Sequence, residues 1–453
     1  MTTPPEDSDP TRTSSHPVPP PECPAHAAGS GGVRRLYGPE AEADFAALEE
    51  RLRSQYGPVA PVLLHGDVPA WLILGFEENL AVMRNAILYS RDPRNWSVRL
   101  DASSPLAPLT AWEPLCNLTD GEEHARLRGA VTASLGGFER GGVRRYASRT
   151  SRLLIDEFAE RGTADLVTEF AEHLPLRVVA RLLGLSEDHM PVLVNAVRDM
   201  ITGSATAVQS NEQVTRILQD LVEEKRQHPG HDIASWLIGH KAGQVDEATL
   251  QQEVREHLRL LLTATHTTTA SLLASTLRLI FTDVRFRGSL NGGRLTVLNA
   301  VEQVLWDEPP FPRLVGRWAT ADHMLAEQPI RKGDLLVHAL SAANRDPAIR
   351  PDPAAPVHEN SAHLSFSAGE HACPGQDLAR GIAEAGIDVL LERLPDMQLA
   401  VGLDQVQEAQ ALMSRRLDSL PVTFTPVRRH FGRPEKTRAA TPAAPAAPAV
   451  AAR

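Results

Sequence analysis

One stretch of the chain sets the size of whatever it folds into. From Asp246 to about Phe281, Leu258, Leu261, Leu262, Thr265, Thr269, Leu272, Leu273, Thr276, Leu277 and Ile280 recur at helical spacing on one stripe, behind a good N-cap at Asp246. Roughly 35 residues at ~1.5 Å rise would run ~50 Å, the full width of a domain of this size. The stretch is a poor membrane span. Arg259, His266, Arg278 and many threonines interrupt its most apolar part, Leu258 to Phe281. No other segment offers the ~18 uncharged apolar residues a span needs.

Other segments read as helices by the same rule. Leu174–Leu185 carries apolar positions 178, 179, 182, 183 and 185 with a stop at Gly184. Thr296–Trp306 ends before Pro309-Pro310, and a further helix opens after Gly375 with Leu378, Ile382, Leu390, Leu391 and Leu394. The strand signal is small: Val59–Leu64 and Trp71–Leu74 flank a His-Gly-Asp turn. The predicted class is therefore mostly α with a small β region. Residues 1–32, rich in Pro, Ser and Gly, and the Ala/Pro-rich residues 431–453 are expected to be disordered tails around one domain over 33–430. No Pro/Gly linker divides that domain.

The formal net charge of −11 argues against nucleic acid or an anionic membrane as the main partner. The three cysteines, Cys23, Cys116 and Cys373, are odd in number and widely spaced, and the first 32 residues hold no apolar signal-peptide core. A reducing, cytoplasmic compartment is expected.

The chemistry concentrates in Phe366-Ser-Ala-Gly-Glu-His-Ala-Cys-Pro-Gly375. A thiolate, not a thiol, ligates metal, and it needs donors and positive charge around it. Gly369 permits a tight turn, Gly375 permits close approach of a flat ligand, and the next helix aims its N-terminus at the sulfur. Zinc would require four ligands, and the other cysteines are far away. A single thiolate points to haem iron. Taken alone, Cys373 would more often be a buried small apolar residue in a turn. The whole constellation resembles the haem-binding loop of the cytochrome P450 superfamily, Phe-x-x-Gly-x-His/Arg-x-Cys-x-Gly, with Ser367 where bacterial members usually have Gly.

The resemblance runs along nearly the whole ordered chain. It implies the triangular haem-thiolate monooxygenase fold, haem b held by Cys373 in a loop that includes Phe366 and Gly375, and propionates bound by His124, Arg128, Arg317 and His371. His124 and Arg128, four apart on a helix, share one face. Their bland alternative is a solvated charged face. His363 is a weaker candidate that could simply be a core histidine. Ala342-Ala-Asn-Arg-Asp-Pro347 also matches the family.

Two departures stand out. The family activates oxygen with a Gly-x-Asp/Glu-Thr patch, and here the segment reads Ala264-Thr-His-Thr-Thr-Thr-Ala270. The alcohol remains as Thr268, but the acid position holds Thr267, so hydroxyls and water would have to move the protons. The family's Glu-x-x-Arg pair and third loop charge are also missing together, replaced by Gln303, Trp306 and Ala355. That reads as a core repacked with neutral groups, and it resembles a small actinobacterial subgroup with a Glu-Gln-x-Leu-Trp variant. The implied activity is insertion of one atom of dioxygen into a small apolar substrate, with electrons from a ferredoxin and its reductase. A peroxide-using haem enzyme and a non-catalytic haem- or ligand-binding regulator are the alternatives.

Overall fold

The computed structural model describes residues 33–430 apart from 97, 102–103, 203–205, 242, 287–294, 353, 356 and 358–359. Both expected tails lie outside the described residues. Eleven helices of eight or more residues are described, α1 to α11: Phe45–Tyr56, Phe76–Arg84, Gly121–Gly136, Arg140–Phe158, His173–Leu183, Met190–Thr202, Ala207–Gln227, Ile233–Lys241, Glu247–Thr282, Val297–Asp307 and Gln376–Arg393. Among the described residues, no helix is long and apolar enough to cross a membrane.

Helix α9 is the axis. Asp246 caps it, its side chain accepting from the Ala248 and Thr249 amides at 3.0 and 3.1 Å. Its apolar stripe packs against α5, α7, α10 and α11 in one large core that includes Leu258, Leu262, Leu273 and Leu277. Helix α5 is closed by the left-handed Gly184. Helix α10 carries a capping box between Thr296 and Asn299 that satisfies its first amides reciprocally.

The largest part of the β region is a mixed sheet of six strands, here labelled β1 Arg34–Arg35, β2 Val59–Leu64, β3 Val68–Ile73, β4 Tyr89–Ser90, β5 Leu314–Ala319 and β6 Leu335–His338, and three smaller sheets of two or three short strands accompany it. Their order is β1-β2-β3-β6-β5-β4. The expected hairpin is β2–β3, although β3 starts at Val68, earlier than its apolar run suggests. Strand β5 bulges between Val315 and Arg317. Gly316 sits there at φ +107°, and a Cβ on it would lie 3.1 Å from the Arg91 guanidinium. The bulge re-aims Arg317 and lets Arg91 lie against the strand backbone.

Helix α9 also buries two neutral histidines. Burial pushes His257 and His266 from an ordinary 6.5 down to about 4. His257 accepts from the Cys116 amide and hydrogen-bonds the Glu253 carbonyl, beside the fully buried Lys241. In the unfolded chain both rings would take up protons below ~6.5, whereas the folded protein resists until about 4. Their contribution to stability is thus complete above pH ~6.5 and is lost as pH falls through that window, at about 1.4 kcal/mol per pH unit for each ring. Chemical unfolding of the parent and of His257→Gln between pH 7 and 4.5 checks this. The parent should lose stability more steeply, and parallel curves would contradict the assignment.

Candidate active site

The segment from His363 to Gly375 folds as a tight loop ahead of α11. The Cys373 amide donates to the Phe366 carbonyl at 2.8 Å, and Ser367 donates to Leu364 at 2.8 Å. Gly369 sits at φ +71°, and a Cβ there would lie 2.4 Å from the Met83 carbonyl of α2, so only glycine fits. Ser367 also lies in the left-handed region, at φ +60°. That explains the family's glycine at this position: a side chain there costs on the order of 1–2 kcal/mol. Burial pushes the Cys373 thiol up, opposed by the Gly375 amide and by the charges of Arg128 and Arg380.

Cys373 opens into a cavity of about 280 Å³. Phe366, Pro374, Gly375 and Leu378 form one wall, and Leu261, Ala264, Thr265, Thr268 and Leu272 of α9 form the other. Arg91, Arg128 and His371 border it as well. The Thr268 hydroxyl donates to the Ala264 carbonyl at 2.7 Å, inside its own helix. Arg128 donates to the Ala372 carbonyl of the loop.

The guanidinium groups beside this cavity donate to backbone carbonyls and to no carboxylate of the described residues. Arg317, 1% exposed, donates to the Tyr89 carbonyl at 3.0 Å, and its Nε has no partner. Arg91 donates to the carbonyls of Asn117, Val315 and Gly316. Burial pulls Arg317 down to about 9 and Arg91 to about 10. His124 and His371 stack at 4.2 Å between ring centroids; the His124 Nε2 has no partner, and the His371 Nε2 lies 3.5 Å from both Asp120 and Glu370. Asp120 is held at about 2: burial opposes ionisation, but His371, Ser90 and the Arg91 amide hydrogen-bond its carboxylate. Buried cations and orphaned nitrogens of this kind require acceptors, and each unsatisfied group costs about 1–3 kcal/mol. His124, Glu370 and His371 offer ligand atoms within 4.8 Å of one another. The neighbouring arginines make that cluster a place for an anion. An apolar cavity with a thiol on one wall and unneutralised cations beside it fits haem, whose flat ring is apolar and whose edge carries two carboxylates.

The structure thus brings Thr268, Phe366, His371, Cys373, Gly375 and Arg128 to one cavity. His124 and Arg317 are not on its surface but lie just behind, beside His371 and Arg91. Thr267 faces away, into a separate small cavity on the far side of α9. Arg91 was missed by sequence reasoning, because only the β5 bulge brings it to Gly316. His363 is a paired group, 3.2 Å from Glu302, which also binds Arg380. Arg380 in turn lies over the Phe366 ring at 4.6 Å.

The neutral repacking holds only in part. Gln303 and Trp306 are buried as expected, at 4% and 3% exposure, and the Trp306 indole donates to the Asn360 carbonyl at 2.7 Å. The region still contains charge. Gln303 donates to Asp307 at 2.6 Å, and Arg350 donates to the other Asp307 oxygen at 2.6 Å. The Arg350 guanidinium lies 5.9 Å from the Trp306 ring. A displaced ion pair therefore stands beside the neutral residues, tied to them by the Gln303 amide.

Known proteins give this geometry a context. The sequence profile described as Cytochrome P450 matches residues 304–394. The 2-hydroxy-5-methyl-1-naphthoate 7-hydroxylase of Streptomyces carzinostaticus is 32% identical over 393 residues, 84% of this chain and 95% of that protein. A putative cytochrome P450 140 of Mycobacterium bovis is 30% identical over 355 residues, 74% of this chain and 78% of that one. Among solved structures, CYP154A1 from Streptomyces coelicolor A3(2) is similar with a TM-score of 0.75 at 26% identity, covering 84% of this chain and 98% of that chain.

Two outcomes are expected. Replacing Arg317 or Arg91 by Ala should weaken haem retention on gel filtration, each lost charge-assisted bond being worth about 1.5–3 kcal/mol. Full retention in both variants would contradict the anion-binding reading. Gln303→Glu should destabilise the protein by about 1–3 kcal/mol in thermal unfolding, because a donor becomes a carboxylate facing Asp307. A stabilised variant would mean that Asp307 does not take a proton donor from position 303.

Proposed function

We propose that this chain, which belongs to the cytochrome P450 family and is one of its monooxygenases, takes its oxygen atom from dioxygen and inserts it into a small apolar substrate. The cofactor of the family is haem, and the proposed form is haem b. Bound in the cavity, haem would supply the iron at which dioxygen is reduced and from which oxygen reaches the substrate. The protein's own residues do the rest. Cys373 would ligate the iron, its sulfur facing the Gly375 amide at the start of α11. Arg91, Arg128, Arg317, His124 and His371 would neutralise the two carboxylates, and Phe366 and Gly375 would pack on the ring. Leu261, Ala264 and Leu272 exclude water and favour an apolar substrate beside Thr268. While its own hydrogen is donated to Ala264, the Thr268 hydroxyl can accept a hydrogen bond from water in the cavity.

The observation that carries the reading is the thiol and the unneutralised cations around one apolar cavity. Hydroxylation also suits two relatives, the naphthoate hydroxylase above and a 6-deoxyerythronolide B hydroxylase of Saccharopolyspora erythraea at 28% identity. Two electrons per cycle would come from a ferredoxin and its reductase in the cytoplasm. A depression lined by Phe138, Arg140, Arg144, Pro374 and Leu378 leads from the surface to the Cys373 side. Its arginines are paired, Arg140 with Asp377 and Arg144 with Glu384 and Asp388, so this face carries mixed charge.

Oxygen uptake by the purified holoenzyme with a ferredoxin, its reductase and a nicotinamide donor tests the proposal. Substrates are first selected by the shift they cause in the haem spectrum. Uptake should depend on the reductase and match product formed. Turnover sustained by hydrogen peroxide alone, with no reductase-dependent uptake, would replace dioxygen by peroxide as the oxidant.

A further inference from the structure

We propose that Glu172 is the carboxylate that position 267 lacks, delivering protons from solvent to Thr267 through water held in the small cavity behind α9. The proposal rests on the dioxygen reading above. Reduction of O2 with insertion of one atom, O2 + 2 e− + 2 H+ + R–H giving R–OH + H2O, consumes two protons per cycle. The electrons come from the external protein donor, and the protons must reach a cavity whose walls are largely apolar.

The rear cavity has a volume of about 40 Å³ and is lined by Glu172, Arg198, His266, Thr267, Ser271 and Arg416 among others. One water needs roughly 10–15 Å³ of such space and two or more polar partners, so room and partners exist for one to three. His266 is 4% exposed and lies beside the Glu172 backbone, and its Nδ1 has no partner. A buried ring nitrogen left unpaired calls for a water.

Glu172 reaches this wall through an irregularity of the chain. Val167–Ala171 form a single π-helical turn, in which Ala171 donates to Leu166 and Glu172 donates to Val167. Such turns recur where a helix is bent for function. Both Arg198 contacts, at 3.0 and 2.6 Å, fall on Oε2 of Glu172 and leave Oε1 without a hydrogen bond to protein. The side chains are 19% and 40% exposed for Glu172 and Arg198, so the pair also touches bulk water. A carboxylate in contact with solvent on one side and a water-sized cavity on the other can be recharged after each transfer. Thr267 borders this cavity, and the next residue, Thr268, borders the haem cavity. The two threonines are consecutive on α9 but point about 100° apart, so the route requires a further water to pass the proton from one hydroxyl to the other. The carboxylate route removed from α9 is thereby supplied from the start of α5.

The test uses the holoenzyme with its electron donors. Glu172→Gln should lower dioxygen-driven product formation by about 10-fold or more and raise the solvent deuterium isotope effect. Iodosylbenzene, which brings one oxygen atom and needs no protons, should serve the variant as well as the parent. In Glu172→Gln, Thr267→Asp should restore coupling by placing an acid on α9, a rescue that a loss of mere structural support would not allow. Independently of turnover, a high-resolution crystal structure should contain an ordered water between Glu172, His266 and Thr267. A dry cavity, or unchanged dioxygen-driven turnover in Glu172→Gln, overturns the proposal. If the parent itself shows no reductase-dependent oxygen use, the dioxygen reading fails instead.

Discussion

Two guanidinium groups, Arg91 and Arg317, are buried against backbone carbonyls with no carboxylate bonded to either. Burying a charge without a counter-charge is among the largest single costs a fold can carry. Much of the surrounding architecture serves to hold them there. The bulge at Gly316 makes room for Arg91, β4 offers the Tyr89 carbonyl to Arg317, and Asp120 orients His371 and Ser90 at the same edge. A fold that keeps cations waiting beside an apolar cavity is arranged for an anionic, mostly apolar ligand. Haem satisfies both halves of that description, and Cys373 would provide the third contact.

The loop that presents Cys373 is held by charged groups of two helices. Glu302 binds Arg380 and His363, and Arg380 lies over Phe366, so charge reaches the loop from α10 and α11. One residue further along α10, the neutral Gln303 links Asp307 and, at 3.3 Å, the Val357 amide. Losing three charges together avoids an unpaired buried ion. The Asp307–Arg350 pair keeps charge in this region, one turn of helix beyond Gln303.

Elements encoded by local pattern were readable from the sequence. The stripe of α9, the cap at Asp246, the β2–β3 hairpin and the glycine-framed Cys373 loop each depend on residues close together in the chain. The contributions of Arg91 and Glu172 were not readable. Arg91 gains its meaning from a bulge 225 positions away, and Glu172 from a π turn and a cavity made by three other segments. Thr267 illustrates the same limit. Spacing placed it beside Thr268, but its direction depends on how α9 is rotated in the core, which a helical stripe with threonines on several sides does not fix.

The central claim is that Cys373, alone among the cysteines, ligates haem iron in the cavity beneath α9. The carbon monoxide difference spectrum of the reduced protein measures it directly. The parent and Cys116→Ser should give the thiolate-type carbonyl band, and Cys373→Ser should lose it. A thiolate-type band in Cys373→Ser would contradict the account.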